Sequence, residues 1–176
     1  MKTVLILRHA KSSWNDPLLS DHDRPLNKRG KRDAPYIGAF LKHQQLVPDL
    51  ILSSTAKRAR KTAQAVAKAS GYDGEVEMIT SFYHAEPETY ISRLADLPDT
   101  YQRVMVVGHN PTLEMLVTQL TNCFETMPTA AVAYVQLPIE NWRKLADSTA
   151  AGSIQGQLLQ LWRPKELVLD QSTSSC

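Results

Sequence analysis

The sequence predicts an α/β fold, a three-layer sandwich in which helices cover both faces of a mostly parallel sheet. Short apolar runs of β-favouring residues alternate along the chain with segments whose apolar residues recur at helical spacing, as expected of such a sheet. The chain has 176 residues, of which 43% are hydrophobic and 22% are charged. This composition is that of a globular protein, and the length suits one domain.

The first elements follow from simple patterns. Residues 3–7 form a short apolar run that predicts a buried strand. Residues 9–27 contain two prolines and predict an irregular segment. Apolar residues at helical spacing predict a helix over 28–45, and a second apolar run predicts a strand over 50–52.

The middle of the chain continues this alternation. Residues 53–55, Ser-Ser-Thr, are N-cap candidates for a helix over 56–70, and Gly71 predicts its end. A third strand is predicted over 76–79, and a short helix over 87–94.

The last elements are one strand and helix followed by a pair of strands. A fourth strand is predicted over 104–107, after which Asn110 and Pro111 predict an N-cap and a first helical residue. Residues 131–137 and 157–162 predict two late strands in an antiparallel arrangement.

Several classes of protein are excluded. No apolar run approaches the ~20 residues of a membrane span, so we expect no membrane association. Cys123 and Cys176 have neither zinc nor redox-motif spacing. The short apolar run at the start gives way to Arg8 without the features of a signal peptide, so we expect a cytoplasmic protein. We expect a single domain over residues 1–169 and a disordered tail over 170–176.

Charge is divided unevenly along the chain. Residues 1–68 hold 14 Lys/Arg against 5 Asp/Glu, a net charge of +9, whereas residues 69–176 hold 6 against 13, a net charge of −7. A basic first half favours an anionic partner. No aromatic residues are interleaved with the basic ones, so we expect no nucleic-acid partner, although a non-enzymatic phosphate- or nucleic-acid-binding module stays an alternative.

The usual phosphate-binding and metal-binding motifs are missing. The chain has no P-loop, no Gly-x-Gly-x-x-Gly, no His-Glu-x-x-His and no acidic cluster suited to a metal. We therefore expect neither a metal nor a cofactor, and we expect no P-loop, dinucleotide-dependent or metal-dependent chemistry.

Two histidines stand directly after predicted strands. His9 follows the first strand and His109 the fourth. Ligands of parallel α/β sheets bind outside the carboxyl ends of the strands, where these two side chains can meet. The competing interpretation is that each is a hydrogen-bonded structural residue. His22 and His43 show no such pattern, and we expect His22 to be exposed.

Two arginines strengthen the case for an anion pocket. Arg8 precedes His9, and Arg58 lies in the first turn of a predicted helix, whose N-terminus favours anions. Two guanidinium groups suit a phosphate. Taken alone, Arg58 favours a solvated face, because Lys57, Arg60 and Lys61 surround it.

Three sequence blocks resemble those of the histidine phosphatase superfamily, and most closely those of its SixA-type phosphohistidine phosphatase branch. Residues 7–10 are Leu-Arg-His-Ala, where the superfamily has Arg-His-Gly after a strand. Residues 53–63 fit Ser-x-x-x-x-Arg-Ala-x-x-Thr-Ala, and residues 108–111 are Gly-His-Asn-Pro. Residues 83–85, Tyr-His-Ala, also resemble this branch. The resemblance implies a phosphoglycerate mutase-like fold.

The resemblance also implies roles. His9 would be the nucleophile that forms a phosphohistidine intermediate, and Arg8, Arg58 and His109 would hold the phosphoryl oxygens. Ser12 and Asn15 fall where the wider superfamily often has Ser and Asn, so they are candidate substrate-binding residues; Asn15 could equally be a plain loop residue.

The substrate class that we expect depends on whether the site has a general acid. Larger relatives place a carboxylic acid after the third strand to protonate an alkoxide leaving group. Glu86 is the nearest candidate here, and a helix-start carboxylate is the competing interpretation. Without an acid, phosphohistidine in a protein is the favoured substrate, and a small phosphorylated compound is the alternative. No feature indicates an oligomeric state.

Overall fold

The computed structural model describes residues 1–151 and 155–167. The tail predicted over 170–176 lies outside these residues. Within the described part of the chain, no helix combines the length and apolarity that crossing a lipid bilayer requires.

A six-stranded sheet forms the centre of the described structure, with the strand order β3-β2-β4-β1-β5-β6. The strands are β1 (Lys2–Arg8), β2 (Leu50–Ser54), β3 (Val76–Ile79), β4 (Arg103–Gly108), β5 (Val132–Leu137) and β6 (Gln157–Trp162). Neighbours among β3, β2, β4 and β1 are parallel, and β5 is antiparallel to both β1 and β6. The mostly parallel sheet and the antiparallel late strands are confirmed.

Helices cover both faces of this sheet. They are α1 (Lys28–His43), α2 (Lys57–Ser70), α3 (Pro87–Ala95), α4 (Thr112–Thr121) and α5 (Lys144–Ala151). Alternate residues of β1 point to opposite faces, so Leu5 and Leu7 pack in the core beneath α1 and α2, while Val4 and Ile6 pack in the core beneath α3 and α4. The three-layer sandwich is therefore confirmed.

The N-caps of α2 and α4 differ from the predictions. The Ser53–Thr55 triplet does not cap α2, because Ser54 still belongs to β2 and the N-cap residue is Ala56, without a side-chain cap. The N-cap of α4 is Pro111 in helical conformation, so Asn110 is not the cap and the helix begins at Thr112. Ser54, at the end of β2, and Asn110, after β4, instead have contacts in the candidate site described below.

Candidate active site

The carboxyl ends of three neighbouring strands bring the candidate residues together. The register pairs Arg8 of β1 with Gly108 of β4, and β2 ends next to β4 at Ser54. His9 and His109 are the residues that follow β1 and β4, and their ring centroids lie 5.1 Å apart. Pairing of strands that are distant in sequence thus places the two histidines side by side.

The contacts of His9 define which ring nitrogen carries a free lone pair. Nδ1 lies 2.8 Å from the carbonyl oxygen of Ala10, which can only accept a hydrogen bond, so Nδ1 carries the proton. Nε2 then presents its lone pair to the Nε–H of Arg58 at 3.4 Å. Burial lowers the pKa of His9 to about 4, aided by the charges of Arg58 and Arg8 and opposed by the Ala10 carbonyl. The ring is therefore neutral near pH 7.

Burial of its side chain and a backbone contact through Thr62 position Arg58. It lies in the first turn of α2, and its side chain is only 7% exposed, so the solvated-face interpretation is wrong. The Thr62 hydroxyl donates to the Arg58 carbonyl at 2.7 Å and accepts from the Ala10 amide at 2.9 Å. Thr62 thereby ties the backbone that follows His9 to the turn that carries Arg58.

Asp21 holds the far side of the Arg58 guanidinium, a contact that the sequence did not predict. Its carbonyl accepts from Arg58 Nη1 at 2.6 Å, and its carboxylate accepts from Arg58 Nη2 at 3.0 Å, Tyr83 Oη at 2.8 Å and Arg24 Nη1 at 2.9 Å. Burial opposes ionisation, but these hydrogen bonds outweigh it and hold the pKa of Asp21 well below its usual range. Asp21 is thus an ionised anchor and not a proton donor at neutral pH.

His109 is fixed by the end of β2. Its Nε2 lies 2.8 Å from the Ser54 hydroxyl, while its buried Nδ1 has no hydrogen-bond partner among the described residues. Burial, with help from His9 and Arg58, lowers the pKa of His109 to about 3. Both histidines of the pair are therefore neutral near pH 7.

Arg8 contacts the segment between α4 and β5. Its Nη1 donates to the Met127 carbonyl at 2.8 Å, which also accepts from Asn110, and its buried Nε has no partner among the described residues. Burial lowers the pKa of Arg8 and the charge of Glu114 opposes this shift. Unpaired buried donors are costly, so the free Arg8 N–H is a position at which an anionic ligand would be stabilised.

A cavity of about 630 Å³ opens beside these groups. Arg58, His109 and Glu86 line it, together with Asp21, Tyr83 and His84. Glu86 is exposed and lies at the N-cap of α3 without forming a side-chain cap. His9 is 8% exposed and contacts two of the lining residues, whereas Arg8 lies beside the lining residue Asn110.

The other candidate residues lie away from this cavity. Ser12 is buried and its hydroxyl accepts from Arg24 Nη2 at 2.5 Å, and Asn15 is exposed on the loop before Asp21. His22 is half-buried, because Nε2 bonds to Thr55 and the ring packs edge-on against Tyr83. The prediction that His22 is exposed is therefore wrong.

Metal ligands are not grouped in the part of the chain that the structure describes, since no three His, Cys, Asp or Glu side chains are arranged to hold an ion. The charges that face the His9–His109 pair come from arginines instead. The site combines a neutral imidazole lone pair, guanidinium groups and a second imidazole.

Comparison with known proteins identifies related sequences. Residues 4–81 match the histidine phosphatase superfamily (branch 1). An uncharacterised chloroplastic protein of Arabidopsis thaliana is 34% identical over 153 residues, which are 81% of this chain and 70% of that protein.

Solved structures match over nearly the whole chain. The crystal structure assigned to the phosphohistidine phosphatase SixA of Agrobacterium tumefaciens is 32% identical, with a TM-score of 0.77 over 93% of this chain and 98% of that one. The protein histidine phosphatase SixA complexed with tungstate has a TM-score of 0.79 at 22% identity, over 94% of this chain and 99% of that one, and shows the shared fold.

Proposed function

Because the chain belongs to the histidine phosphatase superfamily, we propose that it is a metal-independent phosphatase that forms a covalent phosphohistidine intermediate on His9. Its substrate in this proposal is phosphohistidine in a protein. The family and the SixA-like fold support the phosphatase reaction. The single observation that carries the choice of nucleophile is the His9 tautomer, since Nδ1 is bound to the Ala10 carbonyl and the lone pair of Nε2 faces Arg58.

The first step transfers the phosphoryl group to His9. The Nε2 lone pair forms a bond to phosphorus while the phosphorus–nitrogen bond of the substrate breaks, and the leaving imidazole takes the electron pair and acquires a proton from solvent water. The Nε–H of Arg58, which points at Nε2 in the free protein, turns to a phosphoryl oxygen. Arg8 and His109 donate to the other oxygens, so charge is neutralised where it is concentrated.

The second step hydrolyses the intermediate. Water attacks phosphorus, the bond to Nε2 breaks, its electron pair returns to the His9 ring, and the proton of the attacking water passes to solvent. The Ala10 carbonyl keeps its hydrogen bond to Nδ1–H throughout, which stabilises the positive charge that the phosphorylated ring carries. Neither step needs a metal, because the arginines neutralise the phosphoryl charge.

The leaving group decides the substrate class. Imidazole leaves from phosphohistidine far more readily than an unprotonated alkoxide leaves from a phosphate ester. Glu86 is the carboxyl group on the cavity wall that could protonate a leaving oxygen, but it is exposed to water. The site is therefore better suited to a phosphoramidate, and a small phosphomonoester is the alternative that the experiment below tests.

The test is phosphate release measured with a chelator present. A phosphohistidine protein, a phosphosugar and an aryl phosphate are compared by kcat/KM for wild type, His9→Ala and Glu86→Gln. We expect His9→Ala to lose at least about 10³-fold in rate, as removal of a catalytic nucleophile does. The matched control is His43→Ala, which changes an exposed histidine at the end of α1.

The outcomes separate the parts of the proposal. Unchanged turnover in His9→Ala would exclude His9 as nucleophile, and turnover that needs an added metal would exclude the metal-free pocket. A phosphosugar that surpasses the phosphohistidine protein, together with a large loss in Glu86→Gln, would assign the chain to small phosphomonoesters with Glu86 as general acid.

A further inference from the structure

A second cavity adjoins the candidate active site. It has a volume of about 700 Å³ and lies between the start of α3, the helix α4 and the segment 124–126; we name it the α3–α4 groove. Glu86 and Met115 line both this groove and the cavity beside His109. A chain segment whose phosphoryl group enters the active site can therefore continue into the groove without leaving the surface.

The groove is negatively charged. Four of the described residues that line it are glutamates, and none is Lys, Arg or His. Glu114 is engaged by Asn110 and by the Met127 amide, and Glu125 is paired with Arg163 at 2.9 Å. Glu88 accepts a hydrogen bond from the neutral side chain of Gln119. The Glu86 carboxylate has no hydrogen-bond or ion-pair partner among the described residues, and only its backbone carbonyl is bonded, by the Thr89 amide. Two carboxylates thus keep uncompensated charge at the groove.

The same groove exposes large apolar side chains. Phe124 is 87% exposed and Met115 is 47% exposed, and both line the groove. An exposed aromatic and methionine pair rimmed by charged residues is typical of a protein-binding surface. Phosphate binding does not require these side chains, because the guanidinium and imidazole groups lie in the neighbouring cavity.

We propose that the α3–α4 groove binds the segment of a phosphoprotein that flanks its phosphohistidine, and that this segment carries Lys or Arg beside an apolar side chain. This inference rests on the proposed function, whose substrate class it narrows. The two neighbouring sites have opposite charge, so the phosphoryl group is drawn to Arg8 and Arg58 while the flanking cations are drawn to Glu86 and Glu88. A free phosphorylated metabolite would fill only the first site.

The experiment uses two synthetic peptides of equal length, each with one phosphohistidine. One has Lys and Leu as its flanking residues, and the other has Glu and Leu. We expect kcat/KM for the Lys peptide to exceed that for the Glu peptide by about fivefold or more, an advantage that shrinks with added salt. An aryl phosphate, which cannot reach the groove, serves as the reference substrate.

Two variants then test the groove itself. Glu88→Lys and Phe124→Ser should each lower kcat/KM for the Lys peptide by about three- to tenfold, while hydrolysis of the aryl phosphate stays within about twofold of wild type. The matched control is Glu75→Lys. It makes the same change of charge just before β3, at the amino ends of the parallel strands, whereas the site lies at their carboxyl ends.

Failure of this inference differs from failure of the proposed function. Equal kcat/KM for both peptides, or variants that match wild type on the Lys peptide, would overturn the groove proposal while phosphohistidine turnover stands. If neither peptide is turned over, the groove proposal is tested by the binding of the unphosphorylated Lys peptide, which is measured by NMR. Shifts at the groove that Glu88→Lys abolishes support the proposal, and their absence overturns it.

Discussion

At the scale of single residues, the site depends on keeping an imidazole neutral next to positive charge. Burial and the neighbouring guanidinium groups both act against protonation of His9, and the Ala10 carbonyl only partly opposes them. A neutral ring is what a nucleophile needs, so in the proposed mechanism the arginines that bind the phosphoryl group also keep His9 in its reactive form.

The titration of His9 gives a direct prediction. Since its pKa is lowered to about 4 from the usual 6.5, NMR titration of the wild-type ring should give a midpoint near 4, and kcat/KM for an aryl phosphate should fall below it. Arg58→Gln removes one of the opposing charges, so the midpoint should rise, without returning fully to 6.5 because burial remains. A wild-type midpoint near 6.5 would contradict this account.

Residue identities near strand ends were predictable, whereas their partners were not. His9 and His109 follow from their positions at the carboxyl ends of parallel strands, whereas Arg58 taken alone favoured a solvated face and was assigned to the site by the family resemblance. Asp21 was not predicted, because it lies in a loop without periodicity and meets Arg58 across 37 positions of sequence. Ser54 was interpreted as a helix cap, and its position at the very end of a strand was the signal that could have indicated its contact with His109.

At the scale of elements, the packing of α1 against α2 determines where Arg58 lies. Gly38 of α1 faces Val66 of α2 so closely that a Cβ at position 38 would lie 2.5 Å from the Val66 carbonyl oxygen and 2.8 Å from the Ala69 side chain. The two helix backbones can approach this closely only because position 38 lacks a side chain. This contact holds the C-terminal half of α2 against α1, and Asp21 holds Arg58 at the start of the same helix.

Gly38→Ala should therefore destabilise the protein, although alanine is normally the better helix residue. Overpacking against backbone atoms costs about 1–3 kcal/mol, which exceeds the gain of about 0.5–1 kcal/mol from helix propensity. Urea denaturation measures the difference. Ala39→Gly, at the adjacent exposed position, is the control that reports propensity alone. A more stable Gly38→Ala variant would show that α1 and α2 separate without cost.

Element types were more predictable than element ends. Apolar runs predicted the six strands to within about two residues. Burial on both faces leaves the strongest sequence signal in β1, β2 and β4, whereas the edge strands β3 and β6 are only partly buried. The predicted N-caps of α2 and α4 were wrong, because Ser54 contacts His109 and Asn110 contacts the Met127 carbonyl. The predicted starts of α1 at 28 and α3 at 87 are confirmed. The helix α5 was not predicted, since its position follows from packing against α3.

At the scale of the whole molecule, buried His9 and half-buried His109 link stability to pH. In the unfolded chain they bind protons below about pH 6.5, whereas the folded protein keeps His9 neutral to about 4 and His109 to about 3. The unfolded state therefore binds more protons between these values, and stability falls as the pH falls. Asp21, whose pKa is also lowered by folding, acts in the same direction at lower pH.

Urea denaturation between pH 7.5 and pH 4.5 should show this loss. The free energy of unfolding should fall below pH 6.5 by at most about 1.4 kcal/mol per pH unit for each histidine. His9→Gln should flatten the curve, and His43→Gln, at an exposed position, should leave its slope unchanged. A wild-type protein with equal stability at pH 7 and pH 4.5 would contradict a His9–His109 pair that folding keeps neutral.

The position of β1 in the sheet also constrains the order in which the molecule can be made. This strand pairs Thr3 with Arg103 of β4 and Lys2 with Leu137 of β5. Neither of its edges can therefore form hydrogen bonds until these segments, which leave the ribosome much later, have been synthesised. Until then its apolar residues have no sheet partner, and non-local pairing of this kind folds slowly. His9, which follows β1, is thus synthesised well before the strands that complete the site around it.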